Sequence, residues 1–264
     1  MISFTSAELN TWIASLLWPL TRILGLISVA PMFGNVSVPA RLKIGLGVML
    51  AIIIAPLVPA APATDPMSLT GLLILIQQFV IGLSIGFAMR IVFAGVEMAG
   101  EISSMTMGLG FAIFYDPQSR GHSSVISQFL SLLTMMIYLA SDLHLVLLST
   151  LADSFISLPV SPATVSGGGF QQVASWGGRI FSAGVQLSLP IVAALLITNM
   201  ALGVLTRAAP QLNIFGIGFP ITMGVGFTMI ALSLPYLTTP IVNLLQEGIK
   251  AIQQITAAMA PAIR

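Results

Sequence analysis

The sequence predicts an all-α, polytopic membrane protein whose helices are bent or broken and paired into hairpins. Three observations carry that expectation. The 264 residues are 56% hydrophobic and only 6% charged, against roughly 25% charged in an ordinary soluble domain. Mean hydropathy is +1.03, and the apolar residues gather into runs near the length of about 20 residues at which a helix crosses a bilayer. Within those runs prolines, glycines and single charges recur, which marks helices that break or that pack on protein rather than lipid. The net charge of +1 implies neither a nucleic acid nor an acidic partner. The chain has no cysteine, so disulfides, thiolate catalysis and cysteine-ligated metal are excluded.

Taken in order, the apolar runs fall at 11–33, 42–63, 67–96, 125–152, 180–206 and 219–245. The residues before the first, MISFTSAELN, hold Glu8 and no Lys or Arg. A cleavable signal needs a basic start, so this run is expected to be retained. It contains Pro19 and Arg22, and the second ends in the proline-rich LVPAAPATDP. Gln77, Gln78 and Arg90 interrupt the third, where Gly82 and Gly86 form a GxxxG spacing suited to close helix contact. Asp142 and His144 lie in the fourth, and Gly167, Gly168 and Gly169 separate it from the fifth. Leu245 to Ile263 alternates polar and apolar residues at helical spacing and reads as an interfacial or packed tail helix. If all six runs cross, Arg41, Lys43, Arg90, Arg120 and Arg207 share one side, and the positive-inside rule makes that side cytoplasmic.

Between the third and fourth runs lies MTMGLGFAIFYDPQSR, Met105 to Arg120. It is too irregular for a span and too apolar for a water-exposed loop. Gly108 and Gly110 free its backbone and Pro117 blocks helix. Such a segment is tolerated between membrane helices only where protein or a cavity surrounds it. Flexible glycines, methionines and bulky apolar groups close a lumen by filling and dewetting it; static burial between subunits is the competing reading.

Arg22, Arg90 and Asp142 would each cost roughly 2.5–3.5 kcal/mol at the centre of a lipid-facing helix. Arg90, Glu97 and Glu101 follow the i, i+7, i+11 spacing of one helical face. With Asp142 they are read as polar contacts between helices or between subunits, snorkelling and local pairing being the plainer account. No enzyme chemistry emerges. His122 and His144 stand apart with no HExxH, and Tyr115-Asp116 lacks the second aspartate of an intramembrane protease. Gly216-Ile-Gly218 has no third glycine, and there is no P-loop. No metal or cofactor site is expected.

Three stretches turn these exclusions into a positive reading: Pro31 to Val48, PMFGNVSVPARLKIGLGV; Asp142 to Pro159, DLHLVLLSTLADSFISLP; and Arg207 to Pro220, RAAPQLNIFGIGFP. In motif order and length the chain resembles the FliR family of flagellar export-gate proteins, related to the SpaR and YscT proteins of virulence secretion systems. The RxxPQxNxFxxGFP pattern is the specific one. Residue 222 is Thr, where lysine is expected in many relatives.

The resemblance implies a non-enzymatic structural and gating subunit of the flagellar type III export gate, in the bacterial inner membrane at the flagellar basal body. Its partners would be FliP and FliQ in the core gate, with FlhB and FlhA beside it, and unfolded substrates would pass through a shared pore. It implies a FliP-like portion over 1–170 and a FliQ-like hairpin with tail helix over 171–264, bent helices, and fewer true crossings than apolar runs. It makes the loop a pore plug, involving Met105, Met107, Gly108, Leu109, Gly110, Phe111, Ile113, Phe114 and Tyr115. Arg207, Pro210, Gln211, Asn213, Phe215, Gly218 and Pro220 would form a cytoplasmic hairpin tip, either a docking surface or simply a turn. The competing class is a secondary transporter of a small solute, with Arg90, Glu97, Glu101 and Asp142 as coupling residues.

Overall fold

The computed structural model describes residues 6–35, 37–59, 62, 64–111, 124–209 and 214–261. Among them are eight α-helices and no strand. They are α1 (Ser6–Val29), α2 (Ala40–Ile54), α3 (Leu69–Thr106), α4 (Val125–Ala140), α5 (Leu143–Ser157), α6 (Gly167–Gly177), α7 (Arg179–Ala208) and α8 (Ile214–Met259). Short 3₁₀ turns follow α2 at Ala55–Leu57 and α3 at Leu109–Phe111. Pro220, Pro235 and Pro240 all lie inside α8, as membrane helices allow where neighbouring groups can satisfy the freed carbonyls.

Among the described residues the six apolar runs become four helical stretches long and apolar enough to cross a membrane, or five if one bent pair counts as a span. The bent pair is the fourth run. α4 stops at Ala140, Asp142 takes a left-handed backbone (φ 55°), and α5 leaves at 69°. The first run yields only a shorter apolar helix, Ser15–Val29, much of it core rather than surface. Trp18, Ile23, Leu26 and Ile27 of α1 are all buried.

The chain divides into two compact units. The first comprises Met1–Ile91, Asp142–Gly177 and Leu245–Arg264. Its core joins α1 and the first half of α3 (Ile74, Ile81, Ile85) to Leu147, Leu151 and Phe155 of α5 and to Ile252, Ile255 and Met259 of the tail. The two glycines of the GxxxG pair lie against α1. A Cβ on Gly82 would overlap the Arg22 carbonyl oxygen, and one on Gly86 would stand 2.7 Å from that of Leu26. The tail is packed: Ser166 N donates to Met259 O (3.1 Å) just ahead of α6, and Gly169 lies against the Met259 side chain. Trp176 Nε1 donates to Ala88 O at 3.0 Å.

The second unit comprises Val92–Ser141 and Gly178–Leu244. Phe93 and Tyr138 meet edge to face (5.8 Å between centroids, 84°), an arrangement that suits the ring quadrupoles. Gly100 lies directly against the Ser127 backbone, and Gly184 against the Met98 side chain. Along α7, Phe181, Leu189, Ile197 and Met200 are exposed, as are Leu42, Ile44, Met49 and Ile52 of α2. Apolar surface on this scale belongs against lipid or other subunits.

Candidate functional site

The segment after α3 leaves a helix end that is tightly held. Thr106 Oγ1 donates back to Ile102 O (3.0 Å) and Ser103 O (2.9 Å). Met107 N reaches Ser103 O at 3.0 Å and Gly108 N reaches Met105 O at 3.0 Å. The chain then turns through Gly108 at φ +88°, a conformation that a side chain strains. A Cβ at this glycine would also stand 3.1 Å from the Phe219 ring.

Met107 anchors the turn on α8. Its side chain is fully buried and packs against Gly226, while Thr222 Oγ1 donates a hydrogen shared between Met107 O (3.2 Å) and Phe219 O (3.0 Å). Met105 points the other way and is 67% exposed. Leu109 and Gly110 are half-buried, and Phe111 closes the 3₁₀ turn. Ile113, Phe114 and Tyr115 lie outside the described residues.

Ser124, just ahead of α4, is likewise pinned. Ser124 caps α4 by accepting from Ser127 N (3.1 Å), and its own amide donates to Glu101 Oε1 at 2.7 Å. Ser127 Oγ donates to Glu97 O (2.9 Å) and Ser131 Oγ to Glu97 Oε1 (3.2 Å). Both carboxylates of the polar α3 face therefore hold α3 to α4 where the loop departs and returns. Arg90 on α3 is exposed, as is Asp142 at the α4–α5 corner, where its side chain caps nothing.

At the expected hairpin tip, Arg207 is exposed in the last turn of α7, where a cation suits the helix dipole. Pro210, Gln211 and Asn213 lie outside the described residues. Phe215 lies in the first turn of α8, Gly218 is buried, and Pro220 two residues further on is exposed.

The first unit holds a polar cluster whose partners sequence reasoning missed. Arg22 is fully buried. Its Nε donates to Gln78 Oε1 (2.8 Å), Nη1 to Ser154 O (2.8 Å) and Oγ (3.1 Å), and Nη2 to Leu158 O (2.9 Å). The guanidinium lies 4.1 Å from the Phe155 ring centroid, a cation–π contact. Ser154 and Leu158 close α5, so the cation also meets the negative end of that helix dipole. Among the described residues no group of three His, Cys, Asp or Glu could hold a metal ion.

The family model described as bacterial export proteins, family 1, matches residues 13–248. Flagellar biosynthetic protein FliR of Pectobacterium carotovorum subsp. carotovorum is 43% identical over 235 residues, covering 89% of this chain and 90% of that protein. FliR of Escherichia coli (strain K12) is 39% identical over 262 residues, 97% of this chain and all of that protein. FliR of Aquifex aeolicus (strain VF5) is 26% identical over 253 residues, 96% of each. The chain therefore belongs to the bacterial export proteins of family 1, the family of the flagellar biosynthetic protein FliR.

Proposed function

We propose that this flagellar export protein is a structural and gating subunit of the type III export gate, contributing to a pore for unfolded substrates, with the segment from Met105 to Tyr115 as its plug. It works in the inner membrane at the flagellar basal body, beside FliP, FliQ, FlhB and FlhA, and carries out no covalent chemistry. A FliP-like portion up to the glycine triplet 167–169 and a FliQ-like hairpin beyond it would suit the binding of both partner types. The observation that carries the plug reading is the anchoring of its first residues. Met107 is buried on Gly226 and bonded to Thr222, Gly108 turns the chain out of the helix, and Glu101 holds the amide at which the chain returns. A loop fixed at both ends and apolar between them suits the filling of a lumen.

Deleting Gly108–Phe114 tests this. The expected outcome is an assembled gate that leaks small ions. A deletion variant that assembles with FliP and FliQ, secretes, and stays as tight as the parent would remove the plug.

A further inference from the structure

The turn between α1 and α2 shapes an open-mouthed cavity of about 250 Å³ within the first unit. Six apolar side chains line it, Ile27, Met32, Phe33, Val38, Leu42 and Leu46, together with Lys43. No carboxylate is among the lining residues. The Lys43 side chain is half-buried and has no hydrogen bond or ion pair among the described residues. We propose that this cavity binds an anionic phospholipid, with an acyl chain in the apolar recess and the phosphodiester against Lys43.

The electrostatics of α2 point the same way. The helix begins after Pro39 with no side-chain cap and no acidic residue in its first turn. That end carries positive partial charge and favours anions, yet Arg41 and Lys43 sit there. A phosphodiester would balance both cations and the helix end together. Leu42 at the cavity mouth and Ile44 beside it are 64% and 52% exposed, the apolar surface that a second acyl chain would cover. Two basic residues in one short turn favour the cytoplasmic side, the leaflet face where anionic headgroups attract Lys and Arg. Free phosphate would meet Lys43 equally well but leave the recess empty, so the phospholipid is the occupant argued for.

The test uses the chain purified with its export partners from mixed phosphatidylglycerol and phosphatidylcholine, with bound lipid counted by native mass spectrometry. The parent is expected to retain phosphatidylglycerol selectively. Lys43→Glu should lower retention at least roughly fivefold, since losing one basic residue near the surface alone costs about this factor. Lys43→Arg should keep it, and Leu46→Trp should lose it by filling the recess with the charge intact. Lys43→Gln serves if the charge reversal fails to assemble, with a smaller loss expected. Equal retention of the two lipids, or competition by inorganic phosphate, would overturn the proposal. So would a photo-crosslink from position 38 to a partner protein in place of lipid.

Discussion

Replacing Arg22 by Met should be among the most damaging single changes in the first unit. The guanidinium makes four hydrogen bonds, of 2.8–3.1 Å, to Gln78, Ser154 and Leu158. Without it Ser154 O keeps its bond from Leu158 N, and Ser154 Oγ still donates to Leu151 O. Gln78 Oε1 and Leu158 O have no other donor among the described residues. Each buried acceptor left unmet costs about 1–3 kcal/mol, so the sum is about 2–6 kcal/mol. Lysine keeps the charge but presents a compact ammonium in place of the planar fork; it should meet one acceptor and lose about half as much. Adding Gln78→Leu to Arg22→Met should recover part of the loss, because one orphaned acceptor goes with its side chain. The assay is equilibrium unfolding in mixed micelles followed by tryptophan fluorescence, with the buried Trp18 one turn from Arg22 as reporter. An Arg22→Met chain within about 0.5 kcal/mol of the parent, the range of an ordinary surface change, would refute the claim that this cluster holds α1, α3 and α5 together.

Gly82→Ala should destabilise the same unit by about 1–3 kcal/mol, the range for overpacking, because the new methyl overlaps the Arg22 carbonyl. Gly45→Ala, with nothing within 4 Å of the added Cβ, should instead stabilise by about 0.5–1 kcal/mol through helix propensity, and opposite signs in one unfolding series check both. Thr222→Val removes the donor to Met107 O at a cost of about 1 kcal/mol, and should give an ion leak between that of the parent and that of the Gly108–Phe114 deletion. A Thr222→Val gate as tight as the parent would detach this bond from gating without touching the deletion result.

What was legible in the sequence depended on how local the cause is. Composition and run length are enough for a helical membrane protein, and GxxxG needs only its own spacing to mark a close helix contact. Glu97 and Glu101 were visible as a polar stripe on α3, although not that their carboxylates meet Ser131 and the Ser124 amide. Hydropathy could not see the corner at Asp142, since the residue was plainly polar but its left-handed backbone is a property of the fold. The partners of Arg22 lie 56, 132 and 136 residues away, and nothing at position 22 names them. Thr222 stood out only as an unexpected residue type; its contact spans 115 residues to a backbone oxygen, which no side-chain motif records.

The broken fourth run and the buried cation explain each other. In an apolar setting a helix that stops short leaves carbonyls without donors, and an arginine without acceptors is equally costly. The stretch Asp142–Pro159 supplies the stop: Asp142 turns the corner, α5 runs to Ser157, and Pro159 brings no amide with which to extend the helix. Arg22 is the donor to the Leu158 carbonyl there, and adds a second bond to Ser154 O, which also accepts from Leu158 N. Either feature alone would count against the fold, whereas together they satisfy one another and tie α1 to a helix end 132 residues further on. A stretch that looked like a supporting sequence motif is thus a corner, a short helix and a stop, and its physical role is to present three oxygens to one guanidinium.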